Sequence, residues 1–187
     1  MATSTNSGVN WKALAIGTGG VLATAGLIWL VVSGVETGRG ERPDAPAGVE
    51  TFTAINAQHI DGAIDYGTTD PPPGGNHNTR WHACGFYDNE IRTENAVHSM
   101  EHGVVWITYR AGLSDDETSI LESLGRRSET IVSLFPGQSA PVIATAWGNQ
   151  LKLQSATDDR LDQFHGAFRD APSAPEPLAS CANGIVT

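Results

Sequence analysis

The sequence predicts an α+β domain behind one N-terminal transmembrane helix. The predicted domain has a small mixed or antiparallel sheet with two or three helices. Three observations lead to this fold class. The 187 residues suffice for one compact core but not for two, and an uncharged stretch near the N-terminus is long enough to cross a bilayer. Beyond that stretch, short β-branched runs alternate with helical patterns.

The charge balance excludes several classes of protein. Lys and Arg total 11 against 21 Asp and Glu, which gives a net charge of -10. A surface this acidic repels a phosphate backbone, so nucleic acid is excluded as a partner. The 40% hydrophobic content and the five Trp also exclude a wholly disordered chain.

The N-terminal region predicts a single membrane span. Residues 13–35 carry no charge and are rich in Ala, Leu, Ile and Val, and a helix of ~20 such residues crosses a bilayer. The run is longer than the apolar region of a cleaved signal peptide, so we expect an uncleaved anchor in the cell membrane. Residues 1–12 then form a cytoplasmic tail, and the chain after the span lies outside the cytoplasm.

Composition also divides the rest of the chain. Residues 36–50 combine Gly, Pro and charge without an apolar period, which predicts a flexible linker. Residues 51–169 form the predicted globular, histidine-rich domain. Residues 170–187 form a tail whose prolines exclude a regular helix or a central strand.

Three segments of the domain have helical signals. The first begins at Glu90 or Thr93 and ends at His102, where a glycine follows. The second, residues 114–124, begins with a capping box. The third, residues 158–168, places its Leu and Phe side chains on one face.

Runs of β-branched and aromatic residues predict the strands. Three such runs are found at residues 104–110, 131–135 and 142–147. Gly148 and Asn149 then predict a tight turn into a further strand at residues 151–153. Residues 59–87 are rich in Pro and Gly without a sustained period, which predicts an ordered loop.

Two histidines on the first predicted helix indicate a metal site. His98 and His102 are four residues apart, so both imidazoles lie on one helix face, with Cβ atoms about 6 Å apart. Glu101 stands between them in a His-x-x-Glu-His order, the pattern of inverted zinc peptidases. The alternative is a surface or capping pair without metal, because a metal site needs further ligands.

A second group of candidate ligands lies in the predicted loop. Three prolines and two glycines lead into His77, a stiff arrangement that is costly if the imidazole only faces solvent. We expect His77 to reach the helix face that carries His98 and His102. His59, earlier in the loop, completes the set, with Glu101 at its edge. The alternative is an irregular loop in which His77 is a hydrogen-bonded turn residue.

Several motifs, taken in order, resemble a bacterial and archaeal domain family of unknown function. The resemblance covers residues 59–177 and includes a Pro-Pro-x-Gly-Gly-x-His run, a His-x-x-Glu-His-Gly motif and a Thr-Ala-Trp-Gly segment. Members of that family are typically membrane-anchored or exported, and the resemblance implies no activity. The run at residues 71–77 departs from the family's Pro-Pro-Thr-Ser-Gly-Pro-His. The resemblance selects neither His82 nor His165, but the candidate ligands His59, His77, His98, Glu101 and His102.

The candidate ligands favour copper or zinc as the cofactor. Neutral imidazoles suit Cu(II) and Zn(II), so metal binding and handling outside the cytoplasm is the leading function. One alternative is a metal-free accessory subunit of a membrane protein complex. A second alternative is a zinc-dependent hydrolase with three histidine ligands, a bound water and Glu101 as the catalytic base. We therefore expect a binding protein in preference to an enzyme.

The two cysteines predict a disulfide. Cys84 and Cys181 are the only thiols of the chain, and two thiols outside the cytoplasm are normally joined. The bond would tie the Pro-rich tail to the loop region. The alternative is Cys84 as a thiolate metal ligand beside His77 and His82.

Overall fold

The computed structural model describes residues 42–53 and 55–186. From Arg42 onward the chain forms one compact unit. The predicted cytoplasmic tail, the predicted transmembrane helix at residues 13–35 and the first part of the linker lie outside the described residues. Within the described ranges, every helix is too short or too polar to cross a membrane.

A mixed sheet organises the described part of the chain. Its six strands, in the spatial order β1-β6-β5-β3-β4-β2, are β1 (Glu50–Thr51), β2 (Gly85–Glu90), β3 (Val105–Tyr109), β4 (Thr130–Leu134), β5 (Val142–Ala146) and β6 (Asn149–Leu153). Strands β2, β3 and β4 are parallel, whereas β5, β6 and β1 pair antiparallel. The predicted α+β class is confirmed, and the sheet is mixed.

Three helices accompany the sheet in the described residues, namely α1 (Thr93–Glu101), α2 (Asp115–Gly125) and α3 (Arg160–Phe168). The predicted capping box of α2 is present: the Ser114 side chain accepts from Glu117 N–H, and the Glu117 side chain accepts from Ser114 N–H. Helix α1 ends before Gly103, whose φ of +91° suits glycine. A Cβ there would lie 3.0 Å from Asp170 Cα, so the site also needs a small residue.

The two faces of the sheet bury different partners. Alternate residues of a strand point to opposite faces. Val105 and Ile107 therefore join one core with Leu121 of α2 and Phe164 of α3. Trp106, between them, points to the other face.

The second face packs against α1 and the candidate site. Its core contains Trp106, Val97 and Met100 of α1, Trp147, and Cys181 from the tail. Helix α1 is buried along nearly its whole length, polar residues included. The candidate ligands on α1 are therefore placed inside the protein.

Strands β1 and β2 were not predicted. Strand β2 lies in and beyond the stretch predicted as loop, and pairs on one side only, with β4. Its sequence, GFYDNE, lacks apolar alternation, and its last three residues are exposed. An edge strand of this kind depends on tertiary pairing, because its two partly buried apolar residues, Phe86 and Tyr87, form too short a pattern to predict a strand.

Both flanks of the predicted 51–169 domain contact it. The Arg42 guanidinium donates to Ala167 O and Asp170 O, at 3.4 and 3.0 Å. The tail is held by a backbone hydrogen bond in which Ala83 N–H donates to Ile185 O of the tail at 2.8 Å. The compact unit therefore starts at Arg42 and includes the tail.

The predicted disulfide between Cys84 and Cys181 is confirmed. It closes a loop with a sequence separation of 97, for which loop-closure entropy gives about 4.7 kcal/mol of stabilisation before strain. Because both sulfurs are bonded, the alternative of Cys84 as a thiolate ligand is wrong.

We predict that His165 makes the fold acid-sensitive. Burial, with a smaller contribution from the Arg127 and Arg169 charges, lowers the pKa of His165 from 6.5 to about 4. The unfolded chain therefore binds more protons across this range, and the free energy of unfolding falls as the pH drops from 6.5 to about 4. Urea titrations at several pH values measure the slope.

His165→Gln is the matched variant for this measurement. The Nε2 atom of His165 lies 2.8 Å from Thr130 Oγ1, and a glutamine amide keeps a polar partner for that hydroxyl without titrating. We expect a shallower pH dependence in the variant. An unchanged slope would contradict the assignment to His165.

Candidate metal centre

The structure brings the sequence-predicted ligands to one place beside α1. His98, Glu101 and His102 come from α1 and the residue that follows it, and His59 and His77 come from the Pro/Gly loop, residues 55–84. One ring nitrogen from each of His59, His77 and His98 lies within 4.8 Å of the others. Glu101, another of the five predicted ligands, contacts His77 and His59.

The Pro/Gly loop is held together by a short backbone pairing. His59 and His77 form a parallel bridge, in which Ile60 N–H donates to His77 O at 2.7 Å and His77 N–H donates to Gln58 O at 3.0 Å. Their rings lie with centroids 4.7 Å apart. The pairing therefore presents both imidazoles in one direction.

Further hydrogen bonds fasten this loop to the regular elements. Gly148 N–H, in the turn between β5 and β6, donates to Pro73 O at 2.7 Å. Asn78 N–H donates to Glu94 O of α1 at 3.0 Å, and His82 N–H donates to Asn95 O at 3.1 Å. The loop is thus clamped between the β5–β6 turn and α1, which fixes the height of His77 over the helix.

Backbone carbonyls set the tautomers of two ligands. The Nδ1 atom of His77 lies 2.8 Å from Gly75 O, and that of His98 lies 2.6 Å from Asn78 O. A carbonyl oxygen only accepts, so each Nδ1 carries the proton. In the neutral rings each Nε2 then carries a lone pair, as in metal-bound histidines.

When His77 is neutral, His77 and Glu101 place two acceptors against each other. Glu101 Oε2 lies 2.9 Å from His77 Nε2 and 3.8 Å from His59 Nε2. Both Glu101 Oε2 and His77 Nε2 are buried, and neither has a hydrogen-bond partner among the described residues. Two acceptors at this distance repel each other unless a proton or a metal ion lies between them.

A second close pair lies on the other side of His98. His98 Nε2 and His102 Nε2 are 3.1 Å apart. His102 Nε2 is also 3.7 Å from Glu176 Oε2, which comes from the Pro-rich tail. Sequence reasoning missed Glu176, and the one signal for it was the predicted disulfide that ties this tail to the loop.

Burial keeps the helix imidazoles neutral. Desolvation is the main cause that lowers the pKa of His98 to about 4, and the neighbouring His102 and His77 add to it. Burial also lowers the pKa of His102, although the charges of Glu176 and Glu101 oppose the effect. Both rings are therefore unprotonated at neutral pH, the form that binds metal ions.

Two tryptophans enclose the candidate site. The Trp81 ring lies 5.8 Å from that of His98 and 5.3 Å from that of His102, between centroids. Trp147 packs edge-on against His77, with centroids 5.9 Å apart. His59 has 48% of its side chain exposed, so the site opens to solvent on the His59 side.

The two remaining histidines are not part of this cluster. His82 is fully buried, and its ring packs edge-on against Tyr87. His165 lies on α3 and contacts Thr130 of β4.

We predict that Gly74→Ala displaces the loop that carries His77. Gly74 has φ +141°, and a Cβ there would lie 2.9 Å from Ile55 Cγ2 and 3.2 Å from the Trp147 ring. We expect the variant to lose roughly 1–3 kcal/mol of unfolding free energy beyond the cost of the backbone strain. Denaturant titration measures the loss.

Gly62→Ala is the control for this prediction. Gly62 also has a positive φ, +97°, but a Cβ there would meet nothing within 4 Å. The control therefore reports backbone strain alone. Equal losses in the two variants would contradict a close approach at Gly74.

Comparison with known proteins identifies the family. Residues 58–183 match the family model described as "Protein of unknown function (DUF3105)". No curated protein matches the chain, and no solved structure matches it. The matched range contains the five predicted ligands, Glu176 and both cysteines. The predicted resemblance to an uncharacterised domain family is therefore confirmed: the chain belongs to the DUF3105 family.

Proposed function

We propose that the domain binds a transition metal ion, copper(II) or zinc(II), and serves in metal binding and handling. The proposed ligands are His59, His77, His98, His102 and Glu101. One observation carries the proposal: His77 Nε2 and Glu101 Oε2 are buried acceptors only 2.9 Å apart, with two further imidazoles beside them. A bound cation removes the repulsion between these acceptors.

A metal ion explains this arrangement better than a proton does. A proton between His77 Nε2 and Glu101 Oε2, which lie 2.9 Å apart, would join these two atoms alone. With that proton the His77 ring would be positively charged, and the neighbouring imidazoles of His59 and His98 would have no ion to bind. A metal ion off the line between the acceptors satisfies several lone pairs at once. This is why a metal-free accessory subunit is the weaker candidate.

The donor types support copper(II) or zinc(II). Imidazole nitrogen suits both ions, and one carboxylate adds negative charge. The cysteine sulfurs are bonded to each other and supply no thiolate. The set therefore lacks the soft sulfur donors that favour Cu(I).

The position of Glu101 supports a role as ligand over a role as catalytic base. A base in a zinc hydrolase reaches a metal-bound water. Glu101 Oε2 instead lies 2.9 Å from a ring nitrogen of the same site. The hydrolase therefore has less support than metal binding.

We predict that the full chain, purified without a histidine tag, retains zinc or copper after incubation and dialysis. His77→Ala combined with His98→Ala removes two of the three clustered nitrogens, so retention should be lost. Glu101→Gln should weaken binding by at least about 10-fold. Elemental analysis measures the metal, and circular dichroism checks the fold.

His165→Gln is the control for metal retention, because His165 lies outside the cluster. It should retain as much metal as the parent chain. Absence of both metals from the parent, or full retention by the double variant, would overturn the proposal. The metal-free accessory subunit would then take its place.

We also propose that the domain lies outside the cytoplasm, anchored to the cell membrane by residues 13–35. The disulfide between Cys84 and Cys181 supports an oxidising compartment. Protease added to cells stripped of their outer layers should then digest the domain and leave a short membrane-protected fragment. Protection of the whole chain would contradict this orientation.

A further inference from the structure

We infer that the site holds two adjacent metal ions, and that Glu176 of the C-terminal tail is a ligand of the second. The first position consists of His59, His77 and Glu101. The second consists of His98, His102 and Glu176. This inference rests on the proposed function and divides its ligand set between two positions.

Short donor–donor distances join the members of each group. In the first group, Glu101 Oε2 lies 2.9 Å from His77 Nε2 and 3.8 Å from His59 Nε2. Zinc–nitrogen bonds are near 2.0–2.1 Å, so donors of one ion lie no more than about 4 Å apart. Both Glu101 contacts are within that limit, and ring nitrogens of His59 and His77 lie within 4.8 Å of each other.

The second group also has two donor–donor distances within this limit. His98 Nε2 and His102 Nε2 are 3.1 Å apart, and His102 Nε2 is 3.7 Å from Glu176 Oε2. Helix geometry supplies the two imidazoles, since residues at i and i+4 share a face. The tail supplies the carboxylate.

The six donors extend too far for one coordination shell. The ring nitrogens that lie within 4.8 Å of one another belong to His59, His77 and His98, and His102 is not among them. Glu176 joins the set through His102. His98 thus lies between the two groups. Its Nε2 has one lone pair and can bind only one ion. The neighbouring groups suit a pair of ions a few ångström apart, as in two-metal sites.

Each position has the same donor chemistry. Two histidines and one carboxylate recur in zinc sites that keep an open coordination position. Two divalent ions also need more negative charge than one carboxylate supplies. Glu101 supplies one carboxylate beside His77 and Glu176 supplies another beside His102. The chain's net charge of -10 also attracts cations.

The backbone holds Glu176 in position, although its side chain is 61% exposed. Glu176 N–H donates to Glu101 O at 2.9 Å, so the two carboxylate residues are joined through the main chain. Trp81 Nε1–H donates to Ala182 O at 3.2 Å, and Cys181 is bonded to Cys84. These contacts fix the tail, so that Glu176 can provide the carboxylate ligand of the second position.

Metal stoichiometry of the full chain tests this inference. The tag-free protein is saturated separately with Zn(II) and Cu(II), dialysed, and analysed for metal per chain. We expect two ions in the parent and one in Glu176→Gln. Because Glu176 is largely exposed, its substitution leaves folding intact. Glu122→Gln, at an exposed position of α2, is the matched control and should keep two ions.

The two-copper form gives an independent readout. Two Cu(II) ions a few ångström apart couple magnetically, and the parent should show a half-field transition in electron paramagnetic resonance that Glu176→Gln lacks. One ion in both the parent and Glu176→Gln would overturn the second position and leave the proposed function standing. Two ions in Glu176→Gln would overturn the role of Glu176. No ion in the parent would overturn both proposals.

Discussion

The main chain of Asn78 joins the Pro/Gly loop to α1 at two points, and the candidate site depends on this junction. Its N–H donates to Glu94 O of the helix at 3.0 Å, and its carbonyl accepts from His98 Nδ1 at 2.6 Å. The first contact places the loop over α1, and the second rotates the helix imidazole into the site. Because His77 precedes Asn78 directly, the same junction positions both a loop ligand and a helix ligand.

The site lowers the stability of the fold on which it rests. His77, His98, Glu101 and His102 are each at most 6% exposed, and polar groups buried without full hydrogen bonding cost free energy. Opposing contributions come from the two cores on either side of the sheet and from the disulfide. A bound cation would offset part of the cost by satisfying the facing acceptors, which links metal binding to folding stability.

Local patterns were enough to predict most of the regular structure. The α2 capping box, the β3 run and the turn before β6 each have their signal within a few residues, and each is present. Strand β2 was missed because it is an edge strand whose pairing with β4 is its main support. The compact unit also begins earlier than predicted, since Arg42 contacts the chain near Asp170, a contact with no local signature.

For the candidate site, the sequence alone determined the residue types and one spacing. His98 and His102 share a face because any α-helix brings residues i and i+4 together, and two cysteines in a chain of this kind predict a bond. Tertiary structure alone decided the distances from these residues to His59, His77 and Glu176. Those three come from a loop and a tail without periodicity, and their positions follow from backbone hydrogen bonds and a disulfide between distant parts of the chain. Such contacts depend on the whole fold, so no local pattern encodes them.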